Sequence, residues 1–211
     1  ATGRGVRRPA RREVAALLAA LAVTLATMLL DPWAYRHAVW PPIYRHDWGN
    51  LLRVVGTVYF WLPVALAVWL EARARAPDRA SRAWLLLVGP AVAGGLAEAL
   101  KMVVRRERPG LHDGAYVFRA FTDHPFRTTD FGFPSGHTMV AFAGAAAVAR
   151  LFPRAGPVAY LMAAGCGATR VLAQAHFASD VVGAALAAWA VVAILWHWAV
   201  RSPREAGAPG G

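Results

Sequence analysis

Long apolar runs separated by short arginine clusters organise this chain. Val14 to Leu30 carries no charge, and Leu51 to Leu70 carries only Arg53. Ala83 to Val104 is a third run, interrupted by Glu98 and Lys101. Thr138 to Phe152 is a fourth, extended upstream by Ser135–His137; Pro157 to Leu172 is a fifth and Val181 to Val200 a sixth. None alternates with a period of two, and Ala and Leu dominate, so each reads as a helix rather than a strand. A helix needs about 20 apolar residues to cross roughly 30 Å of hydrocarbon. The pattern therefore predicts an all-α fold, a six-transmembrane-helix bundle.

Arginine placement orients the bundle. Arg4, Arg7, Arg8, Arg11 and Arg12 precede the first run. Arg73, Arg75, Arg79 and Arg82 follow the second, Arg150 and Arg154 follow the fourth, and Arg201 and Arg204 follow the sixth. With six spans all of these fall on one side, and the positive-inside rule makes that side cytoplasmic. The expected division is a basic cytoplasmic segment at 1–13, a membrane domain at 14–200 and a cytoplasmic tail at 201–211, in a bacterial inner membrane. The first run is long for a signal-peptide core, so a span is the expected reading. Trp33, Tyr35, Trp40, Tyr44 and Trp48 fit an interfacial belt or a short helix on the outer surface.

Composition narrows the classes. Of 211 residues, 57% are hydrophobic and 17% charged. That excludes a disordered chain and departs from ordinary soluble domains. The net charge of +11 raises nucleic acid as a partner, but the cations cluster between apolar runs rather than along one face, so no nucleic acid is expected. Cys166 is the single cysteine, which excludes a disulfide scaffold; its apolar surroundings suit a packing thiol.

One loop breaks the charge rule. The segment after the third run faces outward, yet it holds Arg105, Arg106, Arg108, Arg119 and Arg127. Ionisable residues inside or beside spans are functional candidates by default. Lys101, the chain's only lysine, stands seven residues before Arg108, which places both on one helix face until Pro109 ends the helix. Two such cations suit a multiply charged anion, although snorkelling toward headgroups is the plainer alternative.

Two further clusters match. Ser135-Gly136-His137 opens the fourth run: Ser135 can cap the helix, Gly136 admits close approach, and the first amides and helix dipole suit phosphate. His137 stands there as a proton donor, or as an incidental histidine beside a capped helix. Arg170, His176 and Asp180 lie between the fifth and sixth runs. If helical, Asp180 accepts from one ring nitrogen of His176 and leaves the other free to attack. Arg170 adds a bidentate fork for an oxyanion; a structural salt bridge is the alternative. Six alternating spans bring all three clusters to the outer face. The twelve carboxylates form no acidic group near them, so no metal and no cofactor is expected.

Lys101-x6-Arg108-Pro109, Pro134-Ser135-Gly136-His137 and Arg170-x5-His176-x3-Asp180 together resemble the three signature motifs of the type 2 phosphatidic acid phosphatases, which share a site with vanadium haloperoxidases. The resemblance covers residues 83–200. It implies that Lys101, Arg108, Ser135, Gly136 and Arg170 bind the substrate phosphate. His176 is then the catalytic nucleophile, forming a phosphohistidine, Asp180 orients and charge-stabilises it, and His137 protonates the leaving alkoxide. Thr169 departs from the serine usual before the arginine. The implied partner is the bilayer and a lipid phosphate or polyprenyl diphosphate substrate: phosphatidic acid, phosphatidylglycerol phosphate or lipid A phosphate fit alike. The 110–133 loop is expected to cap the site, and Glu98 to support Lys101. Competing readings are vanadate-dependent halide oxidation, non-catalytic binding or transport of phosphate-bearing lipids, and transfer to an acceptor other than water.

Overall fold

A computed structural model describes residues 11–201, with side chains described for 14–200. The expected basic segment and tail, with Arg4, Arg7, Arg8, Arg11, Arg12, Arg201 and Arg204, lie outside those described side chains. Among the described residues the regular structure is helical: α1 (Arg11–Met28), α2 (Asp31–His37), α3 (Asp47–Val54), α4 (Val58–Arg75), α5 (Pro77–Ala80), α6 (Leu85–Val104), α7 (Gly136–Leu151), α8 (Gly156–Leu172) and α9 (Ala178–Arg201). Extended pairing among these residues is limited to two isolated bridges, Arg106 with Phe118 and Glu107 with Phe131.

Among the described residues two helices are long and apolar enough to cross a membrane singly: Pro77–Val104 and Ala178–Val200. Two bent pairs qualify when each is taken together: α1 with α2, bent by 48°, and α3 with α4, bent by 71°. The expected single helix over 51–70 is thus two helices. The break has a packing cause. Gly56 sits in it, and a Cβ there would lie 2.7 Å from the His137 carbonyl oxygen and 2.8 Å from the Cys166 sulfur. The bend brings the backbone directly onto α7 and α8.

At the centre stands α7, flanked by α6, α8 and α9. Met139, Ala141, Ala143, Ala145, Ala146 and Ala147 are fully buried along it. The alanines are what a central helix needs, because small side chains let neighbouring helices approach closely. Gly144 lies against the Trp61 indole, which leaves no room for a Cβ. Outward, Leu17, Leu21, Leu62, Leu66, Leu161 and Ile194 are all more than half exposed. An apolar exterior around a small-residue interior is the arrangement of an integral membrane protein, with hydrocarbon rather than water as the outer solvent.

The chain runs 85–104 in one direction, turns, and returns through α7, so the loops at 105–135 and 173–177 share one end of the bundle.

Candidate active site

The five arginines of the anomalous loop have different tasks. Helix α6 stops at Val104 because Arg105 takes a left-handed conformation, with φ of 55°. The Arg105 side chain is 1% exposed and donates to the carbonyls of Arg119, Pro125, Ala120 and Asp123 at 2.6–3.1 Å. It folds the loop around itself. Arg106, equally buried, donates to Ser179 Oγ at 2.9 Å and to Asp180 Oδ1. The rings of Tyr116, Phe133 and Phe177 stand 5.1–5.2 Å from its guanidinium. Arg119 pairs with Glu107 at 2.6 Å and Asp130 at 3.2 Å. Burial would push the Glu107 carboxyl up, but hydrogen bonds from His112 and Arg119 outweigh it and hold it below the usual range. Arg127 lies 3.5 Å from Asp130 and is exposed.

Arg108 is different. Among the described residues its side chain makes no hydrogen bond, and its Nε is buried without an acceptor. Burial, then the neighbouring Arg170 charge, pull its pKa below the ordinary arginine value. Arg170 is 6% exposed, and its Nε is also buried and unpaired. Two cations held close with unfilled donors form a site for an anion, since like charges there repel until one arrives. Arg170 is fixed by Tyr44, whose hydroxyl accepts from Nη1 at 2.8 Å and donates to the Thr169 carbonyl at 3.1 Å. The Thr169 hydroxyl donates to the Cys166 carbonyl at 2.7 Å. Arg53 and Arg170 stand 5.1 Å and 5.6 Å from the Tyr44 ring.

Lys101 and Arg108 do not share a helix face, because the left-handed turn at Arg105 takes the chain off the axis first. Lys101 Nζ instead donates to Glu98 Oε1 at 2.6 Å and would stand 3.6 Å from a Cβ at Gly136. Glu98 also accepts from Thr128 at 2.7 Å, tying the 110–133 loop to α6.

Ser135 occupies the N-cap position of α7, yet its side chain makes no capping bond. Its fully buried hydroxyl accepts from Thr138 at 2.9 Å. The proton of Ser135 and the first amides of α7 are left for another acceptor. Ser135 N donates to the Asp180 carbonyl at 3.2 Å, which joins the second cluster to the third.

His176 lies before α9 rather than in it. Its Nδ1 is 2.8 Å from the Gly132 carbonyl and 3.6 Å from Asp180 Oδ2. The expected His176–Asp180 hydrogen bond is therefore replaced by one to Gly132, with the carboxylate held just behind. A carbonyl only accepts, so Nδ1 carries the proton and Nε2 the lone pair. Asp180 is spent on Arg106 and on the Phe177 amide at 2.8 Å. A Cβ at Gly132 would meet Asp180 Oδ2 at 2.8 Å, so glycine is required where the loop crosses the carboxylate. Burial pushes the His176 imidazole down to about 4; the Arg170 and Arg108 charges add to this and Asp180 opposes it. The ring is neutral near pH 7. His137, half-buried, makes no side-chain hydrogen bond among the described residues, and it lies within electrostatic reach of Arg170, His176 and Lys101.

Four contributors were not expected from sequence: Tyr44, Arg106, the Gly132 carbonyl, and Asp31. Asp31 is buried and accepts from the Ser179 amide at 2.9 Å, the Ser179 hydroxyl at 2.5 Å and Tyr116 at 2.8 Å. It thereby caps α9 from the far end of the sequence.

Residues 82–204 match the PAP2 superfamily. A lipid A 1-phosphatase of Rhizobium johnstonii is 31% identical over 88% of this chain and 80% of its own. A lipid A 1-phosphatase of Rhizobium etli is 30% identical over 86% and 82%. The crystal structure of a transmembrane PAP2-type phosphatidylglycerolphosphate phosphatase from Bacillus subtilis covers 91% of this chain and 98% of its own, with a TM-score of 0.63 and 20% identity, a likeness of fold. The chain belongs to the PAP2 superfamily.

Proposed function

We propose that this protein is an integral-membrane lipid phosphatase that hydrolyses the phosphate of a lipid through a phosphohistidine on His176. The observation that carries the reading is the pair of unfilled arginines, Arg108 and Arg170, beside a buried neutral imidazole. Phosphoryl transfer needs charge neutralised over three equatorial oxygens, with nucleophile and leaving group in line.

The substrate phosphate sits between Arg108, Arg170 and Lys101, with Ser135 Oγ and the Gly136 end of α7 donating to its oxygens. His176 Nε2 attacks phosphorus as the P–O bond to the lipid breaks, and His137 delivers a proton to the departing oxygen. The imidazolium keeps its Nδ1 proton on the Gly132 carbonyl, and Asp180 offsets its charge. Water, deprotonated by His137, then cleaves the P–N bond and releases inorganic phosphate. Charge neutralisation by three cations and helix amides supports a metal-independent reaction.

The substrate we favour is lipid A bearing a 1-phosphate, because two relatives covering most of this chain carry that activity in their names. The site belongs on the outer face of a bacterial inner membrane, with six spans, residues 14–200 as the membrane domain and both described ends cytoplasmic. Its support is that all three motif segments meet at one end of the bundle while Arg73, Arg75, Arg79 and Arg82 gather at the other. The test is a panel of lipid A 1-phosphate, phosphatidylglycerol phosphate, phosphatidic acid and a polyprenyl diphosphate on purified protein, with and without EDTA. Phosphate release from lipid A that survives EDTA is expected. Loss in EDTA restored by magnesium would refute metal independence, and release from none of the four would refute the enzyme.

A further inference from the structure

At the end of the bundle opposite the candidate active site, Arg79, Arg82 and Arg150 line a cavity of about 410 Å³, together with Asp78, Leu151 and Trp196. Helix α6, of 20 residues, separates the two ends by about 30 Å. Among the described residues none of these three arginines forms a salt bridge. Each lies against an aromatic ring instead: Arg79 on Phe152 at 4.7 Å, Arg82 on Trp196 at 5.7 Å and Arg150 on Trp189 at 5.8 Å. The Nε of Arg82 is buried with no acceptor. Asp78 lines the same cavity without pairing to any of them, so the cavity is net cationic.

We propose that this cavity holds the phosphodiester headgroup of an anionic phospholipid. Three cations gathered in one cavity repel one another, and an anion there relieves the repulsion and fills the open donor of Arg82. A lipid rather than a free ion is favoured by the neighbouring cavity of about 320 Å³, which shares Ala76 and Arg79 with the first. Ala67, Val68, Ala72 and Phe152 line it with apolar surface, beside the mutually paired Glu71 and Arg75. The headgroup lies among the arginines, and an acyl chain follows the apolar groove along α4. Basic pockets between helices on the arginine-rich face of a membrane protein are suited to anionic headgroups.

The test uses the full chain in detergent, with retention of phosphatidylglycerol and of phosphatidylcholine with the same acyl chains read by native mass spectrometry. An R108Q/R170Q background removes lipid capture at the opposite end. Phosphatidylglycerol should be retained at least fivefold better than phosphatidylcholine. Each arginine is worth about fivefold near an anionic headgroup, so R82Q/R150Q should lower retention roughly twenty-fivefold. In the otherwise native chain that double variant should leave phosphate release from the lipid substrate unchanged. Arg79→Gln, an exposed position, should lower retention about fivefold and keeps the test decisive if the double variant does not fold. Equal retention of the two lipids, retention unaffected by either variant, or phosphatidylglycerol displaced by millimolar inorganic phosphate would overturn the proposal.

Discussion

The Nδ1 of His176 donates to the main-chain carbonyl of Gly132 at 2.8 Å, while the Asp180 carboxylate stands at 3.6 Å. Ring orientation and charge compensation, expected of Asp180 together, are thus divided between a backbone group and a side chain. Asp180→Asn should leave the Nδ1 proton in place while removing the charge behind it and the anionic half of the buried pair with Arg106. We expect kcat to fall by about a hundredfold with little change in KM, against near-complete loss for His176→Ala; removing a carboxylate that also fixes a tautomer costs about ten-thousandfold elsewhere. A ten-thousandfold loss in Asp180→Asn would show that Gly132 does not hold the tautomer.

Arg106 is a stabilising partner rather than a substrate ligand. Removing one member of a buried ion pair leaves the other uncompensated, at a cost of about 3–5 kcal/mol. Arg106→Gln should therefore lower the melting temperature in detergent sharply, and Arg106→Lys should not restore it, because a lysine cannot lie flat between Tyr116, Phe133 and Phe177. The loss in Arg106→Gln/Asp180→Asn should be smaller than the two single losses added.

Stability should depend on pH through His176. Its folded pKa, about 4, lies below the ordinary value of 6.5. Between these values the unfolded chain binds a proton that the folded chain refuses. Stability is therefore fully present above about pH 6.5 and is lost as pH falls toward 4. Melting curves from pH 7.5 to 4.5 should show this decline, with a shallower one in His176→Gln.

Glu98 competes for Lys101. It engages one of the three Nζ donors at 2.6 Å, and its negative charge beside that ammonium opposes an arriving phosphate. Glu98→Gln removes the competing charge and should lower the inhibition constant of inorganic phosphate by about threefold, the scale of a half-exposed ion pair. A raised constant would mean that Glu98 positions Lys101 instead.

Gly56→Ala tests the bend between α3 and α4. The added methyl meets the His137 carbonyl and the Cys166 sulfur, and overpacking of this kind costs about 1–3 kcal/mol. Because His137 carries the contact, kcat should fall along with the melting temperature.

Much of the candidate site was legible in the sequence as a grouping of residues. Lys101, Arg108, Ser135, Gly136, His137, Arg170, His176 and Asp180 sit at the loop-facing ends of apolar runs, and the structure brings those ends together. Even the excess of arginine in the loop after α6 was a usable signal, although among the described residues only Arg108 of the five is without a partner for its side chain. Local geometry was less legible. A heptad spacing places Lys101 and Arg108 on one face only if the helix continues, and four carbonyls gathered by Arg105 end it. An i, i+4 spacing pairs His176 with Asp180 only inside a helix, and α9 begins after His176. Asp31 and Gly132 left no mark in the sequence, and Tyr44 showed there only as a belt aromatic, because their value lies in contacts across 44 to 148 residues.

The buried carboxylate of Asp31 and the hydroxyl of Tyr44 come from outside the stretch that defines the superfamily. A fragment starting at residue 82 would keep every signature side chain yet orphan the Ser179 amide and untether the Arg170 fork. The diagnostic region is thus not a portable catalytic unit, and grafting it into another membrane scaffold requires importing those two anchors as well.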